Sequence, residues 1–259
     1  MRKYASAEFV KDGVLSAVKK GLNGFTALHW HEFYELEYVI EGAGDYEIDG
    51  ISYPISAGMF FLMTPANHHT VRAENCRIFN VMFSERACRT DLLARCVEDG
   101  GALAFRAQEP DRRFFETVLD ELCLRQSSAE FAACLLDSAL HKCLSYRGEK
   151  PACPSYLALA TVYLLGHFRE SPTLPEVARF TGYTPTYFSA MFRRDTGVTF
   201  QQYLDRLRFD YARKLLLSSE LTASQVCESS GFRDYPNFLR RFKAAFGVSP
   251  TELREKKRK

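Results

Sequence analysis

GYTPTYFSAMFRRDTGVT (182–199) and GFRDYPNFLRRFKAAFGVS (231–249) are two versions of one pattern, and their reading decides the fold of the C-terminal part of the chain. Gly182 and Tyr183 match Gly231 and Phe232 at a spacing of 49, while Phe188, Phe192, Gly197 and Val198 match Phe238, Phe242, Gly247 and Val248 at 50. One residue is therefore inserted in the turn of the second copy. A short helix-forming stretch precedes each, LPEVARFT (174–181) and TASQVCESS (222–230). The physics is that of a helix-turn-helix. A short helix ends at a glycine able to take φ > 0, and an aromatic plugs the corner. A polar residue, Thr184 or Asp234, then caps the next helix. Pro185 and Pro236 fall in the first turn, where a missing N–H costs nothing. Each phenylalanine pair, four residues apart, faces the core. Thr186, Tyr187, Ser189 and Ala190, and then Tyr235, Asn237 and Arg240, are left to face a groove.

Between the copies runs FQQYLDRLRFDYARKLLLSSE (200–220), with Thr199 as N-cap and Tyr203, Leu204, Leu207, Ala212, Leu215 and Leu216 on one apolar face. Some 19 residues of helix span ~28 Å, approaching the ~34 Å between successive major-groove faces of B-DNA. Such a connector places two recognition helices in adjacent grooves, with Arg206, Arg208, Arg213 and Lys214 near phosphates.

The net charge of +2 hides an asymmetry. Residues 155–259 carry 17 Lys and Arg against 10 Asp and Glu, a net of +7, and residues 1–154 carry 17 against 22, a net of −5. That fits a nucleic-acid module fused to a module that does not bind nucleic acid, although the tail LREKKRK (253–259) supplies much of the excess. No apolar run reaches the ~20 residues of a bilayer span. The N-terminus has scattered charges and lacks a signal-peptide pattern, so a cytoplasmic protein with no membrane partner is expected. The eight cysteines, at 76, 88, 96, 123, 134, 143, 153 and 227, include no CxxC pair and read as buried, reduced thiols.

Residues ~25–85 read as β. YELEYVIEG, GDYEIDG, ISYPISAGMFFLMT, HHTVRA and CRIFNVMF are separated by turns at Glu41-Gly42-Ala43-Gly44, Asp49-Gly50 and Ala57-Gly58, which suggests an antiparallel barrel or jelly roll. Asp49-Gly50 is a two-residue hairpin signal. From 111 the period becomes helical: Phe114, Phe115, Val118, Leu119 and Leu122 share one face of a helix over 111–126, and a second helix covers 128–146. These helices either cover the barrel or form a dimer interface. The break RGEKPACP (147–154) is the expected linker between domains.

With these residues in hand, the C-terminal ~100 residues resemble the DNA-binding domain of AraC/XylS-family transcription regulators. LPEVARFTGYTPTYFSAMFRRDTGVTFQQYLDRLRFDYARKLLL and GFRDYPNFLRRFKAAFGVSPTELR carry the resemblance. It implies recognition helices at 185–194 and 235–245. The implied DNA-contacting set is Thr184, Thr186, Tyr187, Ser189, Ala190, Arg193 and Arg194 in the first unit, and Tyr235, Pro236, Asn237, Arg240 and Lys243 in the second. Three residues depart from the family's pattern. Ala190 offers no hydrogen bond and suits a thymine methyl, Cys227 stands where a small alanine is usual, and Leu253 replaces a common tyrosine.

His29, His31, Glu35 and Gly42, with Gly58 and Pro65-Ala66-Asn67-His68-His69 downstream, resemble the two motifs of the cupin barrel over ~60 residues. The second motif is loose, with Asn67 in place of a glycine and His69 one residue short of metal-cupin spacing. On a continuous strand His29, His31 and Glu35 share a face, and His69 from a facing strand adds a fourth donor. Three readings stand open: a small-molecule effector pocket lined by His29, His31, Glu35 and His69, a structural role for the histidines, or a bound divalent metal. Tyr34, Glu37, Tyr38 and Trp30 belong to or border the same strand, Trp30 with opposite parity.

The expected protein is thus α+β with two domains: a cupin-like antiparallel β-barrel (1–110) with a helical extension (111–150), and an all-α domain (155–259) with two helix-turn-helix motifs joined by a linker helix. The expected function is effector-controlled, sequence-specific transcription regulation. Double-stranded DNA and a small-molecule effector are the expected partners, together with a second copy of the chain and RNA polymerase. No cofactor is expected. No nucleophile–base constellation or phosphate-binding loop occurs, so no enzyme is expected. A metal-dependent cupin enzyme with a DNA-binding-like tail and a scaffold with a degenerate helix-turn-helix domain are the competing readings. The effector, the operator and the sign of regulation stay open.

Overall fold

The computed structural model describes residues 2–4, 9–10, 14–97, 102–147 and 155–258. They fall into two compact units, residues 2–162 and 163–259. Residues 148–154 of the expected linker, Cys153 among them, lie outside the described residues.

The first unit is built on one sheet of seven strands: β1 (Arg2–Tyr4), β2 (Leu15–His31), β3 (Tyr34–Ile48), β4 (Ile51–Ile55), β5 (Met59–Met63), β6 (His69–Phe83) and β7 (Leu103–Arg106). They pair in the order β1-β2-β6-β3-β5-β7, with β4 on β3, and every pair is antiparallel except β1 with β2. Three strands are longer than the sequence suggests. Glu41–Gly44, expected to be a turn, lies inside β3, and the stretches expected as two strands around Asn75 are the single strand β6.

The cause is a shared corner. Register breaks fall between Leu22 and Gly24 in β2 and at Val39–Ala43 in β3, and Asn75 of β6 sits beside them at φ +48°. Gly42 and Gly44 take φ +109° and +146°, and a Cβ on them would collide with the backbone of Cys76 and Arg72 respectively. Glycine here permits a strand to bend where neighbouring backbones touch.

The bend folds the sheet over on itself. Glu35 pairs with Met82, thirteen residues along β6 from His69 and ~43 Å away on a straight strand, yet its carboxylate lies 3.5 Å from the His69 ring. The two half-sheets therefore face each other across an interior lined by Val39, Tyr46, Ile48, Phe61, Val71 and Ile78. Only Glu32 and Phe33 join β2 to β3 on the side opposite the corner. Asp49 and Gly50 form the expected hairpin at φ +53° and +82°.

Helices α1 (Thr90–Cys96), α2 (Asp111–Arg125) and α3 (Ala129–Arg147) follow. Helix α2 buries Phe115, Leu119 and Leu122, and the Gln126 amide bonds both backbone groups of Ala17 on β2, at 2.9 and 2.8 Å. Leu124 and Phe131, near the α2–α3 junction, stay exposed. The cysteines divide: Cys76, Cys96, Cys143 and Cys227 are buried and Cys88 and Cys123 half-buried, whereas Cys134 is exposed, contrary to expectation.

Helix α4 (Ser155–His167) leads into the second unit, which continues with α5 (Leu174–Phe180), α6 (Pro185–Thr196), α7 (Phe200–Ser218), α8 (Ala223–Ser229), α9 (Tyr235–Phe246) and α10 (Pro250–Arg258). The sequence repeat is a repeat of hydrogen bonds. Tyr183 N–H donates to Ala178 and Phe232 N–H to Cys227, at 2.9 and 3.1 Å. Gly182 donates to Arg179 and Gly231 to Glu228, at 3.1 and 3.0 Å. Gly182, Gly197, Gly231 and Gly247 all take φ between +73° and +81°. Phe188, Phe192, Phe238 and Phe242 are fully buried. Among the described residues no helix is long and apolar enough to cross a membrane.

Candidate functional site

The outer faces of the second unit hold the residues expected to meet DNA. Helix α6 exposes Thr184, Thr186, Tyr187, Ser189, Ala190, Arg193 and Arg194. Thr184 occupies the N-cap position, but its side chain makes no capping bond; Pro185 at the first helical position starts the helix. Arg194 donates to the neighbouring Asp195 carboxylate through bonds of 2.6 and 3.0 Å. In α9 Pro236, Arg240 and Lys243 are exposed, and Tyr235 and Asn237 half-buried. Asp234 caps this helix as expected, accepting from Asn237 N–H at 3.0 Å, and Arg240 donates to the Asn237 side-chain oxygen Oδ1 at 2.9 Å. Two expected base readers are thus pre-positioned by each other.

The connector α7 has the expected 19 residues, with Thr199 capping Gln202. One of its cations does not face outward. Arg208 is buried and donates to the Phe168 carbonyl at 2.8 Å and to Ser171 Oγ at 3.0 Å, so the expected phosphate contact is replaced by an internal clamp. Arg206 and Arg213 are exposed and Lys214 half-buried. Sequence reasoning missed the partner of this clamp: Asp205, 8% exposed on α7, is ion-paired with Arg241 of α9. A lone acid within an otherwise apolar face of the connector was the available signal.

In the first unit a cavity of about 240 Å³ opens between the half-sheets, lined among others by Lys20, His29, His31, Glu35, Glu37 and His69. All four expected pocket residues reach it, by a route different from the expected one. His29 and His31 end β2, whereas Glu35 belongs to β3 after the Glu32-Phe33 bend, so they meet across the fold-over rather than along one strand. His31 Nε2 and His69 Nε2 lie 3.1 and 3.5 Å from Glu35 Oε2. His29 stands apart: its Nδ1 bonds the Ala27 carbonyl at 2.9 Å and its ring packs on His69 at 4.0 Å between centroids. Trp30 does not line the cavity, in keeping with its parity, and Tyr38 points away to donate to Glu116 at 3.1 Å.

Asn80, unrecognised in the sequence, bridges two buried carboxylates. Its amide donates to Glu35 Oε1 at 2.8 Å and to Glu37 Oε1 at 2.7 Å. Glu37 is raised to about 7 by burial and then by the neighbouring Glu35 charge. Burial pushes Glu35 upward too, but His31 first, then His69 and Lys20, outweigh it and hold the carboxyl well below the usual carboxylate range. Burial, with His29 beside it, drives His69 well below the usual imidazole value. The second-motif pair divides its labour. His69 faces the cavity, while His68 and Asn67 latch the hairpin through Asp49, with His68 Nδ1 3.0 Å and Asn67 Nδ2 2.7 Å from its carboxylate.

Comparison with known proteins agrees with both halves. An AraC-like ligand binding domain matches residues 20–144, and a helix-turn-helix domain matches residues 177–256. The chain belongs to the AraC family of transcriptional regulators. This regulator combines an N-terminal ligand-binding domain with a C-terminal helix-turn-helix DNA-binding domain. It is similar to the uncharacterized HTH-type transcriptional regulator YobQ of Bacillus subtilis, with 26% identity over 86% of each chain. It is also similar to the HTH-type transcriptional activator RhaS of Escherichia fergusonii, with 26% identity over 88% of this chain and 87% of that one. Among solved structures, ToxT of Vibrio cholerae O395 matches over 93% of this chain and 97% of that one, at 14% identity and a TM-score of 0.41.

Proposed function

We propose that this regulator works in the cytoplasm as a homodimer that reads a two-part operator with both recognition helices of each chain. The observation carrying this reading is the equivalence of the two helix-turn-helix corners, whose backbone hydrogen bonds match at Gly182 and Gly231 and at Tyr183 and Phe232, behind outer faces of different chemistry. Equal corners present both helices alike, and different faces read different bases. Helix α6 brings Tyr187, Ser189 and Ala190 to bases, with Thr184, Thr186, Arg193 and Arg194 at their flanks. Helix α9 brings Asn237 and Arg240 to bases, with Tyr235, Pro236 and Lys243 beside them. Phosphate contacts supply most of the affinity.

The division of labour is a sensory part (1–110), a helical extension (111–150) that supplies dimer contacts through exposed Leu124 and Phe131, and a DNA-binding part (155–259). A small effector enters the cavity beside His29, His31, Glu35 and His69. At about 240 Å³ the cavity is smaller than the ~300–1,000 Å³ of drug-sized pockets, so the occupant is compact. Its preference for one arrangement of the chain shifts how the DNA-binding parts are presented. Activation through RNA polymerase is the proposed output, as the name of the RhaS relative suggests.

The test is selection of bound duplexes from a random pool by the full chain. The expected result is a site whose two parts lie ~34 Å apart, one per recognition helix, with Arg240→Ala relaxing preference in one part alone. Absence of preference over random DNA overturns the proposal.

A further inference from the structure

The aromatic residue expected to plug the first corner stands largely outside it. Tyr183 is 39% exposed, whereas its repeat counterpart Phe232 is 9% exposed and packs on Phe209 and Phe238 at 4.7 and 5.2 Å between ring centroids. The second corner is also covered from outside: a Cβ on Gly231 meets the Arg169 backbone, while one on Gly182 meets open space. The Tyr183 ring lies against that of Tyr187, 5.6 Å between centroids and tilted by 32°. Tyr187, 56% exposed, is the third residue of α6, and the third residue of α9 is Asn237. Asn237 accepts from Arg240 at 2.9 Å. Each copy therefore steadies the side chain at the same place on its recognition helix, with a ring in one and a hydrogen bond in the other. A side chain held before binding gives up less freedom when it binds.

The two rings stand on a face with a particular lack. From Thr184 to Phe192 the chain carries no charged or amide side chain, and Arg193 comes only after about two turns of α6. Charged and amide side chains are the ones that read guanine, adenine and cytosine by hydrogen bonds, and the first residues of a recognition helix are the ones that reach base edges. Thr186, Tyr187, Ser189 and Ala190 offer hydroxyls, methyls and a ring instead. The apolar group that a base shows in the major groove is the methyl of thymine. Ala190, exposed and three residues on from Tyr187, continues the apolar strip along the same face.

We propose that Tyr183 is a positioning residue that holds the Tyr187 ring against thymine methyl groups, so that the operator part under α6 is recognised by its methyls. The inference rests on the two-helix reading of the operator and names what one of those helices recognises. The other helix, with Asn237 and Arg240, recognises hydrogen-bonding groups, so the two parts of the operator differ in kind.

The test uses the full chain and a duplex that it selects from a random pool. The part under α9 is the one whose preference Arg240→Ala relaxes. The duplex is then made with deoxyuridine for thymidine in one part at a time, which removes methyls and leaves every hydrogen-bonding group of the bases in place. In the α6 part binding by the unaltered chain is expected to weaken about fourfold for each methyl buried, and in the α9 part to change little. Tyr187→Ala abolishes this discrimination. Tyr183→Ala reduces it and weakens binding of the thymine duplex about two- to tenfold, the worth of an aromatic pair. Tyr183→Phe keeps both, because the ring rather than the hydroxyl holds Tyr187. A general loss of stability weakens thymine and uracil duplexes alike, so the ratio of the two affinities reports positioning alone. An α6 part without thymine or indifferent to uracil, or a ratio unchanged in Tyr183→Ala, overturns the inference and leaves the operator reading standing. Selection of no duplex overturns the operator reading and the inference with it.

Discussion

Arg241 of the second recognition helix is ion-paired with Asp205 of the connector helix, and Gln201 donates to the other Asp205 oxygen at 3.2 Å. One turn further along the connector, Arg208 reaches back to Phe168 and Ser171. The connector is thus tied by Arg208 to the start of its unit and by Asp205 to α9.

Asp205→Ala separates aim from contact. It removes the partner of the partly exposed Arg241 and lowers the stability of the C-terminal unit by about 1 kcal/mol, a buried-pair value discounted for the solvent that reaches Arg241. Operator affinity falls with it. Exposed Arg240→Ala leaves stability within about 0.5 kcal/mol yet lowers operator binding by about 1–3 kcal/mol. Denaturant unfolding beside operator titration checks both. Equal loss of stability in the two variants contradicts the clamp.

The corner glycines predict an asymmetric pair. Gly182 and Gly231 share φ near +80°, but a Cβ on Gly182 meets open space, whereas on Gly231 it meets the Arg169 backbone at 2.8 Å. Gly182→Ala therefore costs only the backbone strain, about 1–2 kcal/mol. Gly231→Ala costs that strain plus a collision backbone cannot relieve cheaply, and melts the unit at clearly lower temperature. Thermal melts of the two variants decide it.

Asp49 sets two effects of opposite sign against each other. It holds φ +53°, so glycine there relieves strain of about 1 kcal/mol. Its carboxylate also accepts from Asn67 Nδ2 at 2.7 Å and from His68 N–H at 3.1 Å. Loss of two such bonds at about 1.5–3 kcal/mol each outweighs the relief. Asp49→Gly is expected to destabilise the sheet unit, and a chemical melt showing a gain refutes the latch.

Lys243, exposed near the end of α9, is expected to touch phosphate rather than a base. Lys243→Ala should weaken all duplexes alike and reduce the salt slope of binding by about one. A changed base preference instead makes Lys243 a reader of sequence.

The helical half was legible because its signals are local. Corner glycines, caps and phenylalanine pairs lie within a few residues of the structure they cause, and even the equal offset of 49 in the turn bonds follows from the repeat. The sheet was legible as antiparallel strands but not as long bent ones. Glu41–Gly44 carries the composition of a turn, and only the closeness of Cys76 and Arg72 on another strand makes it a bend within β3. The cavity residues His29, His31, Glu35 and His69 were visible as a motif. Asn80 was not, because its role depends on pairing opposite Glu37 across a register no local pattern fixes. Arg208 misled for a similar reason: a cation on a connector looks solvated until the carbonyl it clamps is in view.

The fold-over of the sheet also bears on how such a regulator changes over evolutionary time. His31, Glu35 and His69 arrive from strand ends on two half-sheets whose corner is set elsewhere, by Gly24, Gly42, Gly44 and Asn75. Chemistry and architecture are written in separate parts of the sequence. Descendants that keep the corner can exchange the three interior side chains without relearning how to fold.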